Sequence, residues 1–117
     1  MNAKQELLKR MEAIGKGGLY KSFDPQWESV LPSIKAIKIK RMDLRGNTTT
    51  LLAKAYPVSM KDLDVLDFEY DNGYGYQEID GIVLFSDNSW LERWEYDGSE
   101  GWEYKKAPTI RRVLEES

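Results

Sequence analysis

Three arrangements in this 117-residue chain combine residue types that could do chemistry. Glu103-Tyr104-Lys105 is an E-x-K triplet on an expected strand, with Asp87 or Asp97 upstream on a hairpin; two carboxylates could hold magnesium, with the lysine beside a phosphate. E-x-K arises readily by chance, however, in a chain that is 32% charged. Asp62, Asp64 and Asp67 offer oxygens to a hard cation, but the D-x-[DN]-x-[DN]-G loop that would converge them is absent, so they read as a solvated acidic face. Glu95 and Glu103 form a third candidate, a carboxylate pair, if the two strands that carry them align. The chain has no histidine and no cysteine. That removes thiolate zinc sites, disulfides, the usual neutral-pH general base and the His-based nucleophile triads. Nothing selects a catalytic set, a metal site or a cofactor, and the expectation is a non-enzymatic protein.

Elements must position whatever these residues do. The length suits a single domain over 1–117 with its own core. Residues 3–14, AKQELLKRMEAI, place Leu7, Leu8, Met11 and Ile14 on one helical stripe, and GKGG at 15–18 stops the helix. Asp24-Pro25 could open a short turn carrying Trp27. From Ile34 the period becomes two: Ile37 and Ile39 alternate with Lys38 and Lys40. Gly46-Asn47 is a turn, Thr48–Tyr56 a second strand ended by Pro57, and Ser59 to Asp62 a capping box for a short helix. Leu66, Phe68 and Tyr70 then alternate as a strand. Asn72-Gly73, Asp87-Asn88 and Asp97-Gly98 punctuate a hairpin meander over 65–107, in which apolar Ile82–Phe85 reads as a strand covered on both faces. Pro108 opens a short C-terminal helix. The expected class is α+β: an antiparallel sheet of about five or six strands packed by an N-terminal and a short C-terminal helix.

Residues 90–104, WLERWEYDGSEGWEY, hold three of the four tryptophans. A two-residue Asp97-Gly98 turn pairs Trp94 with Gly101 and sets Trp102 opposite Arg93. A five-residue loop pairs Tyr96 with Trp102 and Trp94 with Tyr104, lines one face with five aromatics and sets Glu95 opposite Glu103. Aromatic burial favours the second register, with Trp90, Trp94 and Tyr96 as a core wall and a cation expected between the two glutamates.

Charge is split along the chain. Residues 1–56 hold 11 Lys/Arg against 5 Asp/Glu, and residues 57–104 hold 2 against 13, with ten of the fourteen aromatics. Asymmetry of this kind bears on partners. Asp87, Glu92, Glu95, Asp97, Glu100, Trp102, Glu103 and Tyr104 are expected to form an acidic–aromatic face that docks a basic protein surface. The alternative is nucleic-acid binding through a basic strand, Lys35, Lys38, Lys40, Arg41 and Arg45, against which the acidic segment repels phosphate. Self-association into a homodimer, basic half on acidic half, is a third arrangement. No leader or membrane span is evident, so a soluble cytoplasmic protein is expected.

The stretch GIVLFSDNSWLERWEYDGSEGWEYKKAP (81–108) resembles the C-terminal hairpins of small accessory proteins encoded by bacteriophages. Small size, absence of Cys and His, and an acidic–aromatic surface also resemble phage inhibitors of host defence nucleases. The similarity covers about a quarter of the chain and transfers no functional residue; it implies a partner such as a bacterial nuclease or ribonucleoprotein in the host cytoplasm. Residues 1–56, net basic, depart from a nucleic-acid mimic, which would be acidic throughout. The E-x-K triplet looks like the magnesium site of restriction-type nucleases, whose sheet is mixed and flanked by helices.

Overall fold

The computed structural model describes residues 1–18, 30–71, 76–107 and Leu114. The expected turn at Asp24-Pro25, the Asn72-Gly73 turn and the C-terminal helix from Pro108 lie outside the described residues. Helix α1 (Ala3–Ala13) is followed by β1 (Ile34–Met42), β2 (Thr48–Ala55), a 3-10 helix (Asp62–Leu66), β3 (Ile79–Phe85), β4 (Trp90–Tyr96) and β5 (Ser99–Lys105). The strands form one antiparallel sheet in the order β2-β1-β3-β4-β5. The fold is α+β, as expected.

Local chemistry accounts for the element ends. The Asn2 side chain caps α1 by accepting from the Gln5 N–H at 3.0 Å. At the other end Gly15 sits at φ +79, and Gly15 N–H donates to Glu12 while Lys16 N–H donates to Met11. These two bonds form a Schellman cap, which glycine accepts without steric penalty. Ser59 and Asp62 form a reciprocal capping box, Ser59 N–H to the Asp62 carboxylate at 2.9 Å and Asp62 N–H to Ser59 Oγ at 3.1 Å.

The core lies between the sheet and the layer formed by α1, the 3-10 helix and the 57–70 segment. Leu7 and Met11 of α1, Leu63 and Leu66 of the 3-10 helix, Ile37 and Ile39 of β1, Val83 and Phe85 of β3, and Leu91 of β4 are all buried in it. The alternation in β1 is what points Ile37 and Ile39 inward while Lys38 stays out.

Three expectations are corrected here. Residues 66–70 do not join the sheet: they run beside the chain start, with an isolated Asn2–Glu69 bridge and Ala3 N–H donating to Phe68 O at 3.0 Å. The meander therefore begins at Ile79. β3 is central, but among the described residues it is covered on one face only, that of the helices; Val83 and Phe85 are buried while Ile82 is 44% exposed. Finally, β4 and β5 take the short-turn register: Tyr96 opposes Ser99, Trp94 opposes Gly101 and Arg93 opposes Trp102. Asp97 and Gly98 both adopt positive φ, 53 and 86, as a type I′ turn requires. That turn follows the natural twist of the strands and orders only two residues.

Candidate functional site: the open sheet face and its buried support

The short-turn register reverses which aromatics are core. Trp102 is 7% exposed, packed in the core cluster, whereas Trp94 is 41% and Tyr96 80% exposed. Trp90 is half-buried. An inward Arg93 and an inward Glu100 make this register tenable. The Arg93 side chain is fully buried; it donates to Glu6 at 2.7 Å, to the Tyr70 hydroxyl at 3.0 Å and to Glu100. Tyr70 in turn donates to Glu6. The Glu100 carboxylate, also fully buried, accepts from Glu78 N–H at 2.7 Å and Ile79 N–H at 3.1 Å. The guanidinium lies 5.0 Å from the Trp102 ring and 5.6 Å from the Tyr70 ring. A buried charge is tolerable when paired and hydrogen-bonded in this way. Burial and donation to Glu6 push the Tyr70 hydroxyl well above the ordinary tyrosine range, against the pull of Arg93.

The face that no described element covers, the open face, is the other product of this register. Neighbouring strands align Lys38, Ile82, Glu92 and Glu103 in one row, and Ala36, Leu84, Trp90 and Lys105 in the next. Between β1 and β4 lies a shallow depression of about 270 Å³ lined by Lys38, Lys40, Asp80, Gly81, Ile82, Glu92 and Arg93. Glu92 opposes Glu103, the like-charge contact expected for Glu95 and Glu103. The cation between them is internal: Lys105 pairs with Glu92 and lies 3.9 Å from Glu103. Its hydrogen bond holds the Glu92 carboxyl below its ordinary range and the Lys105 ammonium above its own. Trp94 folds its indole across Gly101, where a Cβ would come within 2.9–3.0 Å of the ring, so any larger residue there must displace the indole.

The eight residues expected to form one acidic–aromatic face are dispersed. Glu100 and Trp102 are buried, and Tyr104 packs edge-on against Phe85 at 6.4 Å. Asp87 sits in the β3–β4 turn, bound to Lys16 at 2.5 Å and to Ser89, and these bonds hold its carboxyl well below the usual range. Glu95 does not meet Glu103: it opposes Glu100 and accepts from Gly98 N–H at 3.0 Å. Only Glu92 and Glu103 lie on the open face, with exposed Asp97 at the hairpin tip. The basic set is dispersed too. Lys38 and Lys40 share the open face, and Lys40 lies 3.9 Å from Asp80. Arg41 stacks over Phe68 at 4.0 Å on the packed side, Arg45 is in the Asp43–Asn47 turn and Lys35 is at a bulge between β1 and β3. The E-x-K candidate does not assemble, because Asp87 is held by Lys16 and Asp97 is at the opposite end of β4 from Lys105. Among the described residues no three carboxylates are grouped to hold a metal.

The charge split is largely consumed inside the fold. Lys4–Asp64 at 2.6 Å, Lys16–Asp87 at 2.5 Å, Lys54–Asp62 at 2.7 Å, and Lys40–Asp80 and Arg41–Glu78 at 3.9 Å each join a base of the first half to an acid of the second. The antiparallel β1–β3 pairing and the docking of α1 on the 3-10 helix bring these halves together. No helix among the described residues is long and apolar enough to cross a membrane. In comparisons with protein-family models, curated proteins and solved structures, nothing matches the chain.

Proposed function

We propose that the protein is a non-enzymatic protein-binding module that docks a basic partner surface on the open face of its sheet, over β3, β4 and the hairpin tip. The observation that carries this reading is the exposure of Ile82 (44%), Trp94 (41%) and Tyr96 (80%) on a sheet face that no described element covers. Aromatic and aliphatic side chains of this size serve as anchors when a partner desolvates them. Glu92, Glu103 and Asp97 border them against Lys105, which both glutamates engage, and Lys38 opposite Ile82, so the surplus around the anchors is a single negative charge, at the hairpin side of the face. Complementary charge then steers a basic partner. Bacterial nucleases and ribonucleoproteins present such surfaces, and an inhibitor encoded by a phage is the concrete form of the proposal. The basic-strand alternative is weaker, because Asp80 and Glu92 lie between Lys38, Lys40 and the aromatics.

Site-directed photo-cross-linking tests it. A benzoylphenylalanine replacing Ile82 is expected to capture a basic protein from bacterial lysate. The same group replacing Val65, 46% exposed on the 3-10 helix, is expected to capture none. The Ile82 adduct should fall with salt and vanish with Tyr96→Lys plus Glu103→Lys. Identical adducts from both positions, or one indifferent to those substitutions, would refute the reading.

A further inference from the structure

We infer that the β5 edge is a second docking site, sharing only Trp94 with the open face, which accepts an extended acidic segment of a partner protein as a sixth strand. β5 ends the sheet, paired only with β4 among the described residues. Its two-residue turn fixes which backbone groups are free. Tyr96 and Ser99 close the turn as a hydrogen-bonded pair, and antiparallel pairs alternate, so Trp94–Gly101 and Glu92–Glu103 are bonded pairs as well. The N–H and C=O groups of Glu100, Trp102 and Tyr104 therefore point away from β4, toward the edge. A row of such groups is a template for an added strand.

Beside this edge is a notch of about 450 Å³. Its walls are Trp94, Gly101, Trp102 and Glu100, whose carboxylate is held by Arg93, on one side, and Met1 with Glu6, Lys9, Arg10 and Ala13 of α1 on the other. The four helix residues are spaced i, i+3, i+4 and i+7, so a single stripe of α1 faces the edge. Two indoles supply an apolar wall for a side chain of the added strand. Lys9 and Arg10 supply charge: both are exposed, and neither has an ion pair among the described residues. Glu6, by contrast, is held by Arg93 and Tyr70. Alternate residues of the incoming strand face the notch, so an aromatic or aliphatic residue with Asp or Glu two positions away fits it.

The same cations disfavour the obvious rival, a second copy. A two-fold axis through paired β5 edges runs perpendicular to the joined sheet and sets both α1 helices on the same side. Lys9 and Arg10 of one copy would then approach Lys9 and Arg10 of the other across the new seam. An acidic segment has no such repulsion.

The test is selection from a random 12-residue peptide display library on the full chain. Peptides carrying an aromatic or aliphatic residue with Asp or Glu two positions away are expected to be enriched. A synthetic representative should slow hydrogen exchange at the Glu100, Trp102 and Tyr104 amides, and N-methylation of its alternate amides should abolish binding. Lys9→Glu with Arg10→Glu should weaken it at least tenfold and turn reselection toward Lys- and Arg-bearing peptides. Ile82→Lys should leave it unchanged, which separates this site from the open face. No enrichment, basic peptides on the unaltered chain, no protection at those three amides, or a concentration-dependent dimer that protects them without peptide would each overturn the proposal.

Discussion

Arg93→Met is the most informative perturbation of the structure. It removes a guanidinium whose side chain is fully buried and leaves Glu100, equally buried, without its cation. Breaking a buried pair by deleting one partner costs about 3–5 kcal/mol, because the remaining charge is uncompensated. Domains of this size have a total stability of about 5–15 kcal/mol, so the variant should be marginally folded. Glu100→Gln should cost less, about 2–3 kcal/mol, because Arg93 keeps Glu6 at 2.7 Å and the amide oxygen can still accept from a backbone N–H. The double variant should show coupling of at least about 1 kcal/mol. An all-apolar replacement, Arg93→Met with Glu100→Leu, should not recover stability. It strands the Glu78 and Ile79 N–H groups that Glu100 accepts from, at about 1–3 kcal/mol each. Urea unfolding followed by tryptophan fluorescence measures all four; at a slope of about 2 kcal/mol per molar, Arg93→Met should lower the midpoint by about 2 M. A loss under about 1 kcal/mol for Arg93→Met would mean that the Arg93–Glu100 pair is not buried as described, and the hairpin register would fall with it.

Two further outcomes follow from the same core. Tyr70 has its hydroxyl pKa raised in the folded chain, so its contribution is complete below the unfolded value, about 10, and declines as pH rises above it. The stability gap between the unaltered protein and Tyr70→Phe should therefore narrow by about 1 kcal/mol from pH 10 to 11; a gap constant between pH 8 and 11 would contradict the placement of this hydroxyl. Gly101→Ala builds a methyl 2.9–3.0 Å from the Trp94 indole, so the ring must lift; because Trp94 is partly exposed, the cost should be about 1–2 kcal/mol, accompanied by a red shift in its emission, and an unshifted spectrum would refute the contact.

Much of the architecture was legible because its signals are local. The α1 stripe is closed by Asn2 and by Gly15, both within one turn of the helix. The alternation in Ile34–Lys40 and the Asp97-Gly98 dipeptide likewise sit inside the elements they specify. The face of β4 was not legible, because both of its parities are mixed: Trp90, Glu92, Trp94 and Tyr96 against Leu91, Arg93 and Glu95. Aromatic burial argued for turning the first set inward. What decides otherwise is the Arg93–Glu6 contact, made across 87 residues, together with the two backbone N–H groups that receive Glu100. No spacing within 90–104 contains that information. The one local hint was Leu91 beside Arg93 on the same face, since the parity of a lone leucine is read more safely than that of aromatics that can cover a surface.

The charge split was the most visible feature of the sequence, and the fold gives it a different meaning. Five side-chain pairs spend it on joining the first half of the chain to the second. Partner selection therefore rests with charges left over after those pairings. Asp97 and the glutamates that share a single lysine remain beside the exposed aromatics of the open face. Lys9 and Arg10 remain beside the β5 edge. Each surface pairs its surplus with tryptophan, and Trp94 contributes to both, lying exposed on the sheet face while its indole crosses Gly101 toward the notch. A partner held on the open face and a strand held on the edge would thus touch opposite sides of one side chain. Occupancy of one surface should then alter affinity at the other, by the same factor in both directions.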